Sequence, residues 1–78
     1  MFGERHDLHA EFPDLSDRID QLRLSNRDFA KLADEYDAVD KEIWRIEEQI
    51  ENPSDAYTED LKKKRVMLKD RLYAMLKA

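Results

Sequence analysis

Cysteine is absent from the 78 residues, glycine occurs once and proline twice. Without cysteine the chain can form no disulfide, no thiolate zinc site and no thiol nucleophile. A single glycine, Gly3, excludes most phosphate-cradling loops, tight hairpin turns and nucleotide-binding folds, because each needs several positions where a side chain does not fit. No apolar run approaches the roughly 18 residues needed to span a bilayer. Residues 1–20 hold Glu4, Asp7, Glu11, Asp14 and Asp17 and no apolar stretch of the secretory kind, so the expected setting is the cytoplasm and no membrane partner is expected. Basic side chains number 14 against 19 acidic ones, and the formal charge of −5 opposes generic attraction to DNA, RNA or anionic lipid.

What the chain does have is charge and regular apolar spacing. Charged residues make up 42% and apolar residues 41%, too apolar and too evenly patterned for a disordered segment. The charge is divided along the chain. Residues 1–25 carry three basic and six acidic side chains, residues 26–52 four and nine, and residues 53–78 seven and four. An acidic middle and a basic end predict two helices that attract each other side by side.

Phe29, Leu32, Tyr36, Val39, Ile43, Ile46 and Ile50 fall at spacings alternating three and four. That is the narrow stripe of a helix packed along another helix. Ser25 or Asn26 supplies an N-cap and Asp28 suits the helix start. The spacing predicts a long acidic helix over 26–51, about 39 Å at 1.5 Å per residue. Asn52-Pro53-Ser54-Asp55 is a turn cluster over 52–55, with Ser54 and Asp55 placed to cap a following helix. A basic helix over 56–77 then carries Leu61, Arg65, Leu68, Leu72 and Met75 on one stripe, with Arg65 the one charged member. So short a connection makes the two helices antiparallel neighbours. Leu8, Phe12, Leu15, Ile19 and Leu22 form a further stripe over 4–24, interrupted at Pro13. Proline is tolerated in a first helical turn and not in a helix interior, which predicts short helices near 4–11 and 14–24. The stripe changes phase at Ser25-Asn26, predicting a bend there. The fold class expected for 1–78 is therefore all-α, a single small domain: a long antiparallel, coiled-coil-like helical hairpin with an N-terminal helical arm.

Phe12-Pro13 with Ile19-x-x-Leu22, then Phe29-Ala30-x-Leu32-x-x-Glu35-Tyr36-Asp37, Glu42-Ile43-x-Arg45-Ile46-Glu47 and Leu61-x-x-x-Arg65-x-x-Leu68-Lys69-Asp70, closely resemble the YdcH-like family. These are small bacterial proteins forming a domain of unknown function, and the resemblance runs over nearly the whole chain. It implies a bacterial, soluble helical hairpin and no established activity, so it carries over no catalytic residue. The sequence holds no G-x-x-x-x-G-K-[ST] loop.

Four features invite a functional reading. His6 and His9 stand three apart beside Glu4, Asp7 and Glu11, a spacing that can share a metal on a helix, but a chain terminus fixes no ligand geometry, so solvated helix surface is the expected reading and no metal or other cofactor is expected. Lys62-Lys63-Lys64-Arg65, extended by Lys69 and Arg71, is the one basic run. Consecutive helical residues turn by about 100°, so the run spreads around the axis, and pairing with the acidic helix competes with phosphate binding. Arg65 interrupts an apolar stripe. With the connection centred near roughly 53.5 it falls opposite Glu42 and Ile43, where its stem can pack on the seam while the guanidinium pairs with Glu42 or a neighbouring acid, or else reaches to water. Trp44 follows a seam residue and leans away from the hairpin partner, toward the arm of its own chain, another subunit or a different protein.

No nucleophile–base pair, glycine-rich loop or cavity-forming length is present, so neither an enzyme nor a small-molecule substrate is expected. The expected function is a helical interaction module that self-associates, as a homodimer for instance, or binds another protein, or does both. The alternative is a nucleic-acid accessory protein using the basic C-terminal helix, disfavoured by the net charge.

Overall fold

The computed structural model describes residues 6–50 and 52–78. Among these, four α-helices and one 3₁₀ turn follow in order: α1 (Leu8–Glu11), the 3₁₀ turn (Pro13–Leu15), α2 (Ser16–Ser25), α3 (Arg27–Glu47) and α4 (Asp55–Lys77). The fold is all-α. The helices α3 and α4 form an antiparallel hairpin, and the arm of α1 and α2 packs back on it, α2 lying on α3 and touching α4.

Local chemistry sets most of the boundaries. Asp7 Oδ1 accepts the Ala10 N–H at 2.9 Å and starts α1. Pro13, which has no N–H to donate, opens the 3₁₀ turn that leads into α2. Asn26 stands in extended backbone between α2 and α3, and its Oδ1 accepts the Phe29 N–H at 3.0 Å. Asn26 thus caps α3, while the Ser25 hydroxyl donates back to the Gln21 carbonyl in α2. Ser54 Oγ caps α4 by accepting the Tyr57 N–H at 3.2 Å.

Two boundaries differ most from the sequence reading. The helix expected near 4–11 begins only at Leu8, and its expected start at Glu4 lies outside the described residues. The long helix expected to reach Glu51 stops at Glu47, four residues early, and Glu51 itself is not described. The helix ends in a Schellman motif: Gln49 takes φ 62°, its N–H donates to Ile46 O at 3.0 Å, and the Ile50 N–H reaches back to Arg45 O at 2.9 Å. Those bonds satisfy carbonyls that the helix end would otherwise leave unpaired. Ile50, assigned to the seam, is consequently 65% exposed. The connection then centres on residue 51, halfway between Glu47 and Asp55, rather than near 53.5.

One core joins all the helices. Leu8 of α1 and Ile19 and Leu22 of α2 meet Phe29, Tyr36, Val39 and Ile43 of α3 and Leu68, Leu72 and Leu76 of α4. Ala33 and Asp40 of α3 are buried too, although neither belongs to the three-four stripe. They lie about 40–60° round the helix from Tyr36 at 100° per residue. A hairpin alone buries a narrow seam. The arm covers a second flank of α3, so that helix needs a wider buried face. At the far end of the arm the Phe12 ring stacks on Tyr73 of α4, with centroids 5.2 Å apart. Among the described residues, no helix is long and apolar enough to cross a membrane.

Candidate functional site: a buried polar junction between arm and hairpin

The most unusual side chain in the core is a carboxylate. Asp40 is 1% exposed, the one buried charged residue among those described. It stands four residues after Tyr36, so the two lie one above the other on the same face of α3. The segment just before α1 crosses that face. The His6 N–H donates to Asp40 Oδ2 at 3.2 Å, and the Tyr36 hydroxyl donates to the His6 carbonyl in a short hydrogen bond. From the other side of the hairpin, Arg65 Nη1 of α4 donates to Asp40 Oδ1 at 3.1 Å. Three separate stretches of chain thus meet at one carboxylate. No buried side-chain nitrogen or oxygen among the described residues lacks a hydrogen-bond partner.

A second carboxylate extends the junction outward. Glu11 Oε1 takes Lys69 Nζ of α4 at 3.4 Å and lies 3.7 Å from His6 Nδ1. The electrostatics keep Tyr36 neutral. Burial pushes its hydroxyl well above the ordinary tyrosine value, the charges of Asp40 and Glu11 push it further, and Arg65 opposes them. Tyr36 is therefore a fixed hydrogen-bond donor rather than a base. What this arrangement does chemically is hold the arm to the hairpin. Hydrogen bonds to a charged, dehydrated acceptor are among the stronger ones a protein makes.

The residues singled out from the sequence fall as follows. Arg65 pairs with Asp40, whereas the sequence register set it opposite Glu42, which instead accepts a short hydrogen bond from the Tyr57 hydroxyl. The earlier end of α3 accounts for the direction of the difference: with the connection's centre at residue 51, the positions facing α4 slide toward the start of α3, and Arg65 meets Asp40, two residues before Glu42. The basic run is dispersed. Lys64 reaches Glu35 at 3.3 Å, Arg65 goes to Asp40 and Lys69 to Glu11, while Lys62, Lys63 and Arg71 point elsewhere around α4. Much of the positive charge of α4 is thereby neutralised within the chain. Trp44 is partly buried on α3. His6 and His9 do not share a helix face, because His6 precedes α1. His9 Nε2 lies 3.1 Å from Asp20 Oδ1, and His6 faces Glu11. Among the described residues, no three His, Asp or Glu side chains stand where they could hold a metal ion.

Two clefts border the arm. One of about 290 Å³ lies between α1, α2 and α3, lined by His9, Asp20, Arg23 and Asp37 among others. The other, of about 240 Å³, runs beside the Phe12–Tyr73 stack. In the first, His9 faces Asp20 and Arg23 is held by Asp34 at 2.6 Å. The polar residue sequence reasoning missed is Asp40. Its only signal was position, four residues after an aromatic seam member.

The chain belongs to the family described as Protein of unknown function (DUF465), whose model matches residues 29–76. The match runs from the first turn of α3 to the last turn of α4, so it takes in both Asp40 and Arg65. Searches of curated proteins and of solved structures found no match.

Proposed function

We propose that this protein is a non-enzymatic helical interaction module, acting in the cytoplasm by self-association, by contact with another protein, or both. The observation that carries the reading is a contrast on α4. Its inner side is used up by the core and by ion pairs to α3 and the arm, while Val66 and Met67 on its outer side are 54% and 50% exposed. Apolar side chains grouped on one helix face are what helix-mediated recognition uses. The polar junction supports the same reading from the other side, since its titratable groups are engaged in holding the arm and none is left poised as an acid, base or nucleophile. Membership of the DUF465 family supports the likeness to YdcH-like bacterial proteins, for which no activity is implied.

The alternative, nucleic-acid binding through α4, loses support from Lys64, Arg65 and Lys69 being held by Glu35, Asp40 and Glu11. The test is a pair of measurements on the full chain. Sedimentation equilibrium reads self-association, and affinity capture from the native cell under stringent washing reads a stoichiometric protein partner. Finding neither refutes the module. Tight, salt-sensitive binding to a labelled duplex or single strand would favour the alternative instead.

A further inference from the structure

The outer side of α4 is self-complementary. Glu59, Lys63, Val66, Met67, Asp70 and Lys77 are all exposed and lie on the side turned away from the Leu68–Leu72–Leu76 core. They recur at helical three and four spacing, so they form a second stripe along the same helix. After the internal pairs of Lys64, Arg65 and Lys69 are set aside, this stripe holds two acids and two bases. Lys63 and Asp70 make no ion pair among the described residues, and neither does Glu59. The charges are arranged antisymmetrically about the apolar pair at the middle: acid, base, Val66-Met67, acid, base.

That order has a geometric consequence. Lay a second α4 antiparallel on the first with a two-fold axis between Val66 and Met67. Val66 of one copy then faces Met67 of the other, and Lys63 falls opposite Asp70 of the partner subunit, twice by symmetry. Lys77 of the partner subunit falls within one turn of Glu59, again twice. A two-fold interface must be self-complementary in this way, with residue i meeting j and j meeting i. A parallel pairing would instead set Lys63 on Lys63 and Asp70 on Asp70.

We propose that the occupant of the outer α4 face is a second copy of this chain, docked antiparallel along α4 with Val66 and Met67 at the centre and the Lys63–Asp70 pairs fixing the register. This rests on the interaction-module reading and names the partner within it. The apolar centre supplies the attraction and the flanking charges set direction and alignment, since exposed ion pairs add little energy but like charges in contact are selected against. A face built on one helix per subunit belongs to the small, weak class of interfaces, so the association is concentration-dependent.

Sedimentation equilibrium of the full chain from about 1 µM to about 500 µM, the range of such small interfaces, tests this with a charge swap. Lys63→Asp sets acid against acid twice, and Asp70→Lys sets base against base twice. Each should weaken the dimer about tenfold or more, and the double substitution should restore it to within about threefold of the natural chain. Both positions of the comparison are exposed on α4, and circular dichroism should confirm unchanged helicity. A chain that stays monomeric across the range overturns the proposal, and so does a dimer that both single reversals leave unaltered. A dimer of the second sort, or a monomer that captures a stoichiometric protein partner, would leave the interaction-module reading standing while removing this face or this occupant. Loss of every association would remove both.

Discussion

Replacing Arg65 by leucine separates the account of the seam drawn from spacing from the one drawn from contacts. On spacing alone the substitution completes an apolar stripe and should be neutral or stabilising, worth up to about 1–2 kcal/mol of added burial. In the structure it removes the cation from Asp40, which is 1% exposed and cannot regain water without opening the arm. Breaking one side of a buried ion pair costs about 3–5 kcal/mol. The Arg65 side chain is itself 21% exposed and Asp40 keeps the His6 N–H, so we expect the lower figure of about 2–3 kcal/mol. A chain of this length has about 4–12 kcal/mol of stability in all, which leaves the variant folded but much weakened. With a urea dependence of about 1 kcal/mol per molar for so small a protein, the midpoint should fall by about 2–3 M. The decisive measurement is the same substitution in an Asp40→Asn background, where no buried negative charge is stranded. There the cost of Arg65→Leu should shrink by at least about 1 kcal/mol. If Arg65→Leu leaves the midpoint unchanged or raises it, or costs the same in both backgrounds, the buried-pair account is wrong.

Gln49 holds φ 62° at the end of α3, a conformation glycine adopts without a Cβ clash, so Gln49→Gly should raise stability by about 0.5–1 kcal/mol while Gln49→Ala brings no gain. Burial, then the neighbouring Asp40 charge, raises the Tyr36 hydroxyl above its ordinary value of 10.0, so the folded chain keeps a proton that the unfolded chain releases. Stability from this group is complete below pH about 10 and falls as the pH rises further; absorbance titration of Tyr36→Phe against the natural chain should assign to Tyr36 a phenol that ionises above its ordinary range in the folded chain and within it in urea, and a Tyr36 that ionises at the same pH in both states would contradict it. Deleting residues 1–25 removes Leu8, Ile19 and Leu22 from the core, about 6 kcal/mol at roughly 2 kcal/mol each, and should abolish the cooperative thermal transition seen by circular dichroism. A hairpin that still melts cooperatively near the original temperature would make the arm an appendage.

Much of the architecture is legible in the sequence because it is local. The three-four spacing of Phe29 to Ile46 marks a helix whatever surrounds it, and Asn26, Ser54 and Pro13 act on backbone groups within four residues of themselves. That the helix breaks before α4 is legible from Pro53, which disfavours helical backbone at Asn52. The stop at Glu47 is less legible, since the left-handed residue that ends α3 is a glutamine and the usual glycine signal is missing.

Everything that depended on which residues face each other across space needed the tertiary structure. A stop four residues early shifted the pairing of α3 with α4, which moved Arg65 from Glu42 to Asp40 and left Ile50 in water. The burial of Ala33 and Asp40 followed from a third layer on the flank of α3, which no two-helix stripe encodes. The sequence by itself determined the helices, their caps, their order and the existence of a hairpin, because hydrogen bonds and side-chain periodicity within a turn or two are set by neighbours in the chain. Only the tertiary structure decided the register, the buried carboxylate and the covering of α3 by the arm, because the Arg65 guanidinium, 25 residues along the chain, and the His6 backbone N–H, 34 residues away, meet at Asp40 only after all three segments have packed.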